Sequence, residues 1–241
     1  MLDAEETKHL RAVLRLANGD TLELTDGRGL AMTAVLVGGG RKDAEVEITA
    51  VNDAAAEVAE PRLALAVAVI KGRRFEVALE KAVELGVHAI TPLRCEHGVI
   101  DPRAGKQDRW RGLLTAALKQ SGRCHLPELR DLADPLALLG DAVGPVFFGA
   151  APSDVVAEKP LNATTAGAQA ARLRLDGQPS PSQLTMLIGP EGGWSPAELQ
   201  LFAVRDTIPL ILGPHVLRTE TAAVVAVAAL QQIRQAWQAA R

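Results

Sequence analysis

The chain has few cysteines, no long apolar run and little net charge. Each of these shortages limits the classes of protein to which it can belong. Two cysteines in 241 residues cannot form a disulfide framework, so we expect a cytoplasmic protein with reduced thiols. The longest apolar run, Ala222–Leu230, is far shorter than the roughly 20 residues that span a bilayer. Asp3, Glu5 and Glu6 are untypical of a secretory signal peptide. We therefore expect neither a membrane partner nor export.

The composition fits an ordinary folded protein. Hydrophobic residues make up 48% of the chain and charged residues 23%, which argues against a disordered polymer. A length of 241 residues suits one large domain or two unequal ones. Such a chain buries a sizeable core without disulfide bonds.

The net charge of −3 argues at first against a nucleic-acid partner, but the charges are unevenly distributed. Residues 1–60 contain 6 basic and 12 acidic residues, and residues 131–241 contain 7 and 10. Between them, residues 61–130 contain 13 basic and 7 acidic residues. A local excess of this kind says more about partners than the total does. A solvated basic face without a partner is the alternative.

The first 60 residues are predicted to form a small β-rich domain. Alternating and β-branched patterns predict strands over Thr21–Leu24, Leu30–Val37 and Glu45–Ala50. A short helix is expected at Glu5–Leu16. Glycine-containing turns separate the strands and indicate a compact barrel or sheet. We place the domain boundary after residue 60.

From residue 61 onward, strand and helix patterns alternate. The apolar run Leu63–Ile70 is typical of a strand buried on both faces, and helical apolar spacing follows at Arg74–Leu85. Residues 158–183 are predicted to be mostly loop. The remaining predicted elements are strands Ala89–Leu93, Val146–Phe148, Leu184–Ile188 and Ile208–Leu212, and helices Trp110–Ser121, Pro196–Val204 and Thr221–Trp237. This alternation predicts an α/β domain with a mainly parallel sheet.

The segment Leu187–Glu198, with the sequence LIGPEGGWSPAE, is the first with a chemical signal. It follows a predicted strand, at the edge where open α/β sheets bind ligands. Ser195, Pro196 and Glu198 are typical of a helix N-cap, first position and capping box. A simple turn that needs glycine is the alternative. Neither the P-loop pattern nor the dinucleotide fingerprint is present at this junction.

The segment Leu212–Ala222, with the sequence LGPHVLRTETA, is the second. It also leaves a predicted strand and enters a predicted helix. Glu220 suits the positive end of a helix dipole, and Thr219 or Thr221 suits an N-cap. Arg218 has no such role, so its guanidinium suggests a partner with oxygen acceptors or a carboxylate.

In these two segments the chain resembles the ribosomal RNA small subunit methyltransferase E family of the SPOUT superfamily. The paired motifs are IGPEGG at Ile188–Gly193 and LGPxxLRTETA at Leu212–Ala222. Further agreement extends over Ile70–Phe75, Lys81–Val87, Lys119–Arg123, Leu126–Glu128, His9–Leu16, Gly19-Asp20 and Asp26-Gly27. The similarity therefore touches nearly the whole chain.

The resemblance implies a fold class, a donor and a substrate. Residues 1–60 would form a PUA-like β-barrel that binds RNA. Residues 61–241 would form a SPOUT-type α/β methyltransferase domain with a C-terminal trefoil knot. The implied cofactor is S-adenosylmethionine, bound by a homodimer. The implied product is N3-methyluridine in the decoding region of 16S rRNA in the 30S subunit.

The resemblance also implies roles for single residues. Arg218 would stabilise the negative charge on the uracil oxygens after N3 loses its proton, and Glu220, Glu191 or water would accept that proton. The implied cofactor-binding residues are Leu187, Ile188, Gly189, Glu191, Gly192, Leu212, Gly213, Leu217 and Thr219. The implied RNA-binding residues are Arg11, Arg15, Lys71, Arg73, Arg74, Arg94 and Arg123.

The chain departs from the family pattern at several places. It begins at Met1-Leu2-Asp3 without the family's extra N-terminal strand, and His215, His97 and Asp101 stand where basic residues are common in the family. These departures leave two alternatives open, a SPOUT enzyme with another RNA target and a non-catalytic RNA-binding relative. The missing dinucleotide fingerprint disfavours a third, a nicotinamide-dependent dehydrogenase.

A metal site is not expected. The candidate ligands are Cys95, His97, Cys124 and His125. Their spacing matches no common zinc pattern.

Overall fold

A computed structural model describes residues 1–40, 42–53, 60–98, 106–151, 154, 161–162 and 181–239. The chain divides into two compact units. The first comprises Met1–Glu57 and Arg123–His125, and the second comprises Val58–Gly122 and Leu126–Arg241. None of the helices in the described ranges is both long and apolar enough to cross a membrane.

The first unit contains a three-stranded antiparallel sheet. Strands β1 (Thr21–Thr25), β2 (Leu30–Gly39) and β3 (Ala44–Asp53) pair in chain order, which confirms the three predicted strands. Its small core comprises Leu10, Leu22, Ala34, Leu36 and Ala44. The β3 edge of this core is joined to the N-terminal helix, because the Ala44 N–H donates to the Thr7 hydroxyl at 2.8 Å.

The predicted helix over Glu5–Leu16 ends early, at Val13, and only its first part is an α-helix. Helix α1 covers only Ala4–Lys8, and a π-helical turn follows at His9–Val13. Leu10 in that turn is buried in the core of the unit. Arg15 then has a positive φ of 59°, which a continuing right-handed helix does not contain.

The second unit is built around a seven-stranded sheet in which the described strand pairs are all parallel. The spatial order is β6-β5-β4-β9-β7-β10-β8. The strands are β4 Arg62–Ala68, β5 Ala89–Leu93, β6 Glu128–Leu129, β7 Val146–Ala150, β8 Leu161–Asn162, β9 Gln183–Ile188 and β10 Ile208–Ile211. This arrangement confirms the predicted α/β class with a mainly parallel sheet.

Two short strands were not predicted. Strand β6 is two residues long, and so is β8, which is too short to produce an alternating pattern. Strand β8 lies within residues 158–183, which were predicted to be mostly loop. Residues 158–160 and 163–180 of that segment lie outside the described residues.

Helices cover both faces of this sheet. They are α2 Arg73–Glu84, α3 Lys106–Ser121, α4 Pro135–Asp141, α5 Pro196–Val204 and α6 Thr219–Ala239. Helices α2, α3 and α6 share one core with Leu63, Leu65 and Val67 of β4. Helices α4 and α5 share a second core with Ala66 and Ala68. Alternate residues of β4 thus pack on opposite faces of the sheet. Of the helices named here, α4, which is seven residues long, is the one that was not predicted.

The strand order places both sequence motifs at one edge of the sheet. Strand β9 lies between β4 and β7, and β10 lies on the other side of β7. Since these strands are parallel, the segments that follow β9, β7 and β10 emerge at the same edge. The trefoil knot that the family resemblance implies stays a prediction.

Candidate functional site

A cleft lies at the carboxyl edge of β9, β7 and β10, with a cavity volume of about 180 Å³. Its lining residues come from three segments and from the first turn of α6: Gly149–Ala151 and Asp154, residues 188–191 with Gly193 and Trp194, residues 212–217, and Thr219 with Ala222. Both motif segments therefore contribute to a single cleft.

The segment after β9 is fixed at its end by helix α5. The Ser195 Oγ accepts a hydrogen bond from the Glu198 N–H at 3.2 Å, and the Glu198 Oε2 accepts one from the Ser195 N–H at 2.8 Å. Pro196 occupies the first helical turn. The predicted capping box is thereby confirmed.

Trp194 shapes the inner wall of the cleft. Its Nε1 donates a hydrogen bond to the Gly149 carbonyl at 2.8 Å, and its ring meets the Phe202 ring edge-on with centroids 4.8 Å apart. A Cβ at Gly189 would lie 3.0 Å from the indole. Glycine therefore suits position 189, because a side chain would press against the indole.

The two motif segments are joined by Thr219, the first residue of α6. Its side chain is 3% exposed, and its hydroxyl donates to the Gly189 carbonyl at 3.2 Å. The contact explains a threonine at this position better than capping alone does. It also brings the end of β9 to the start of α6.

Glu191 in the first motif forms an ion pair with Arg74 in the first turn of α2. Both side chains are about half-exposed. The sequence predicted separate roles for them, Arg74 on RNA and Glu191 on the cofactor or as proton acceptor. Their pairing means that each charge is compensated before any ligand binds.

Arg218 and Glu220 flank Thr219 in the chain without lining the cleft. The Arg218 side chain is exposed and makes no hydrogen bond or ion pair within the described residues. One oxygen of Glu220, Oε2, is buried and has no hydrogen-bond partner in the part of the chain that the structure describes. A buried acceptor without a donor costs free energy, so the Glu220 Oε2 is available to accept a hydrogen bond.

Most of the predicted cofactor-binding residues lie at the cleft. Those that line it are Ile188, Gly189, Glu191, Leu212, Gly213, Leu217 and Thr219. Leu187 is instead fully buried in the core beside α5. Gly192 lies against His97, whose Nδ1 is 3.1 Å from the Gly192 carbonyl oxygen.

Sequence reasoning missed several residues that line the cleft. Trp194 directly follows the recognised motif Ile188–Gly193, and a large aromatic ring beside a glycine-rich loop is the signal that marks it. Gly149–Ala151 and Asp154 belong to no motif. His215, noted only as a departure from the family pattern, also lines the cleft.

The predicted RNA-binding residues are divided between the two units. Arg11, Arg15 and Arg123 belong to the first, and Lys71, Arg73, Arg74 and Arg94 belong to the second. The Arg11 guanidinium donates to the Asn18 side chain at 2.8 Å and to the Gly38 carbonyl at 3.1 Å, so it stabilises its own unit. Lys71 and Arg73 are exposed. Asp101 lies outside the described residues.

Two known family models match the chain. An RNA methyltransferase domain matches residues 58–231, and an RNA methyltransferase PUA domain matches residues 2–49. Together they extend over both compact units.

Individual relatives agree with these matches. Ribosomal RNA small subunit methyltransferase E of Synechocystis is 32% identical over 232 residues, covering 96% of this chain and 72% of the relative. The crystal structure of the Neisseria gonorrhoeae protein of that name, bound to S-adenosyl methionine, has a TM-score of 0.78 and 28% identity, covering 95% and 90%. A Legionella pneumophila structure with bound cofactor SAM has a TM-score of 0.77 and 31% identity, with the same coverage. The chain therefore belongs to the ribosomal RNA small subunit methyltransferase E family of RNA methyltransferases.

Proposed function

We propose that this protein transfers a methyl group from S-adenosylmethionine to N3 of a uridine in the decoding region of 16S rRNA, within the 30S subunit. The observation that carries the proposal is the convergence of both family motifs on one cleft, joined by the Thr219 hydroxyl and the Gly189 carbonyl. The Neisseria and Legionella relatives bind S-adenosylmethionine.

The groups that line the cleft suit this donor. Ile188, Leu212 and Leu217 offer apolar surface for the adenine. A Cβ at Gly213 would meet no atom within 4 Å, so its backbone is open to close approach by a ligand. The carboxylate of Glu191 is an acceptor for the amino group or the ribose hydroxyls. When bound, S-adenosylmethionine supplies an activated methyl group on a sulfonium.

The residues at the start of α6 suit the acceptor. Uracil N3 carries a proton that must leave, and negative charge then develops on the base oxygens. The unpaired guanidinium of Arg218 stabilises that charge. Glu220, whose buried Oε2 has no hydrogen-bond partner among the described residues, accepts the proton, and water is the other acceptor. The remaining acceleration comes from holding the methyl group and N3 in line.

We further propose that the enzyme acts as a cytoplasmic homodimer without a metal ion. The basic excess of residues 61–130, 13 basic against 7 acidic, supplies charge for 16S rRNA. Lys71, just before α2, and Arg73, its first residue, are exposed members of that segment. Positive charge of this kind is what a phosphate backbone requires.

Transfer of labelled methyl groups to 30S subunits, followed by mass spectrometry of the nucleosides, tests the function. The expected product is N3-methyluridine at one position of 16S rRNA. A different methylated base, or another RNA, would indicate a SPOUT enzyme with another target. If calorimetry detects no binding of S-adenosylmethionine, the non-catalytic RNA-binding alternative is favoured instead.

Arg218→Ala tests the assigned catalytic residue. We expect the rate of methyl transfer to fall by at least about a hundredfold, because the guanidinium that stabilises the developing charge is lost. The affinity for S-adenosylmethionine and dimer formation should persist. Arg205→Ala is the matched control, since Arg205 is an exposed arginine at the end of α5. Turnover of the Arg218 variant at the level of this control would remove Arg218 from the mechanism.

A further inference from the structure

Glu198 is a buried carboxylate whose partners are backbone N–H groups. It lies in the first turn of α5 and is 8% exposed. Its Oε2 accepts from the Ser195 N–H at 2.8 Å, and its Oε1 accepts from the Glu96 N–H at 3.0 Å. No basic side chain of the described ranges forms an ion pair with it. Because a buried charge is costly without hydrogen bonds, these two bonds are what stabilise it.

The two bonds join two different loops of the second unit. Ser195 ends the segment after β9 that lines the cleft, whereas Glu96 belongs to residues 94–98, which follow β5. In a capping box the Glu198 carboxylate needs to accept only from the Ser195 N–H. The bond that it accepts from the Glu96 N–H is therefore additional to helix capping. The contact between His97 Nδ1 and the Gly192 carbonyl is a second link between the same loops.

These links lead directly to the cleft. Ser195 follows Trp194, whose indole donates to the Gly149 carbonyl and lies against Gly189. Because Ser195 and Trp194 are adjacent in the chain, the bonds that hold Ser195 also restrain the indole that lies against Gly189. The Glu198 charge also affects Cys95 in the loop that follows β5. The pKa of the Cys95 thiol is raised to about 12, mainly by burial and secondly by the charge of Glu198.

We propose that Glu198 is a positioning residue for methyl transfer, which holds the segment after β9 in the shape that receives S-adenosylmethionine. The proposal rests on the proposed function, since it assigns the cleft to the donor. Glu198 does not line the cleft. Its removal should therefore raise the KM for the donor more than it lowers kcat.

Three variants separate this role from ordinary helix capping. Glu198→Ala removes both bonds, and Glu198→Gln keeps one, because an amide has a single acceptor oxygen. Asp134→Ala is the matched control. Asp134 caps α4 by accepting from the Ala137 N–H at 2.8 Å, and none of its hydrogen bonds within the described residues reaches either motif segment.

We expect Glu198→Ala to raise the KM and Kd for S-adenosylmethionine about tenfold or more, with Glu198→Gln in between. Asp134→Ala should lower the melting temperature and leave both constants unchanged. If Glu198→Ala does not fold, Glu198→Gln decides alone. Donor constants at the wild-type value in the Glu198 variants would overturn the proposal.

Hydrogen exchange of the ligand-free proteins provides a readout that does not depend on the donor. At least one of the Ser195 and Glu96 amides should exchange faster in Glu198→Gln than in the wild type or in Asp134→Ala, because the glutamine amide can accept from only one of them. Unchanged exchange at both amides would overturn the proposal even if catalysis fell. Failure of the wild type to bind S-adenosylmethionine would instead refute the proposed function, and the exchange result would still report on the loops.

Discussion

Cys95 is one of only two cysteines, and its surroundings make it chemically inert. The side chain is 5% exposed and belongs to the core beside α5. Burial, and after it the charge of Glu198, raises the pKa of the thiol to about 12. Thiolate is the reactive form of cysteine, so a raised pKa means low reactivity at neutral pH.

We expect Cys95 to resist a thiol reagent in the folded protein. In a Cys124→Ala variant, which leaves Cys95 as the single thiol, labelling at pH 8 should be slow and should accelerate as pH rises towards the thiol pKa. In urea the same thiol should react at once. Labelling of the folded variant as rapid as that in urea would contradict the burial described for Cys95.

At the same scale, sequence reasoning singled out residues by their type but did not predict their pairings. Arg218 stood out because a guanidinium has no capping role at a helix start. Arg74 and Glu191 were assigned to different ligands, yet they pair with each other. Nothing local marks that contact, because its partners lie in segments that only the folded sheet brings together.

Among the elements, the two motif loops use glycine for different physical reasons. A Cβ at Gly189 would lie 3.0 Å from the Trp194 indole, whereas a Cβ at Gly213 would meet nothing within 4 Å. Packing against the indole favours the first glycine. The second leaves a stretch of backbone open towards the cleft.

Gly189→Ala and Gly213→Ala should therefore affect different properties of the protein, stability in the first case and donor binding in the second. Gly189→Ala should destabilise the protein by about 1–3 kcal/mol, the usual cost of overpacking. Gly213→Ala should change stability by less than about 0.5 kcal/mol and weaken donor binding. Urea unfolding and calorimetry with S-adenosylmethionine measure the two effects. Equal losses of stability in both variants would contradict this distinction.

Element prediction succeeded where a pattern was long enough to show its period. Strand β4 is apolar after its first residue, β9 is buried from Leu184 to Ile188, and α2 has buried residues at helical spacing. Helix α4 and strand β6 are too short for either pattern. The Gly149–Ala151 segment of the cleft was missed for another reason, since its position at the end of β7 matters more than its residue types.

On the scale of the whole molecule, the uneven charge has a measurable consequence. Lys71 and Arg73 are exposed residues of the basic segment, and each phosphate contact contributes to salt dependence. By contrast, Arg111 is paired with Asp108 at 2.9 Å on the surface of α3. Its charge is already compensated.

We expect affinity for 30S subunits to fall steeply as salt is added. Replacing Lys71 or Arg73 by Ala should reduce the slope of log affinity against log salt by about 0.7 for each lost contact with single-stranded RNA. Arg111→Ala, the control, should leave the slope unchanged. A wild-type affinity that does not respond to salt would argue against a basic docking surface.

The order of the strands was beyond prediction from local patterns. Alternation indicated a mainly parallel sheet, but no local signal places β9 between β4 and β7. Leu63 pairs with Leu184, and such a long-range partner is chosen only when the chain has folded. Family resemblance, in contrast, found both motif loops, because their residues are specific.

The central position of β9 also determines when the enzyme becomes complete during its synthesis. Strands β4, β5 and β7 leave the ribosome well before β9. Until β9 is made, the edges of β4 and β7 that pair with it remain unpaired. Open strand edges invite association with other chains, and closing long loops is slow. The cleft, which needs the ends of β9, β7 and β10 together, is then the last part of the protein to form. A nascent chain that stalls before residue 181 therefore has no donor site and presents the unpaired edges of β4 and β7 to its neighbours.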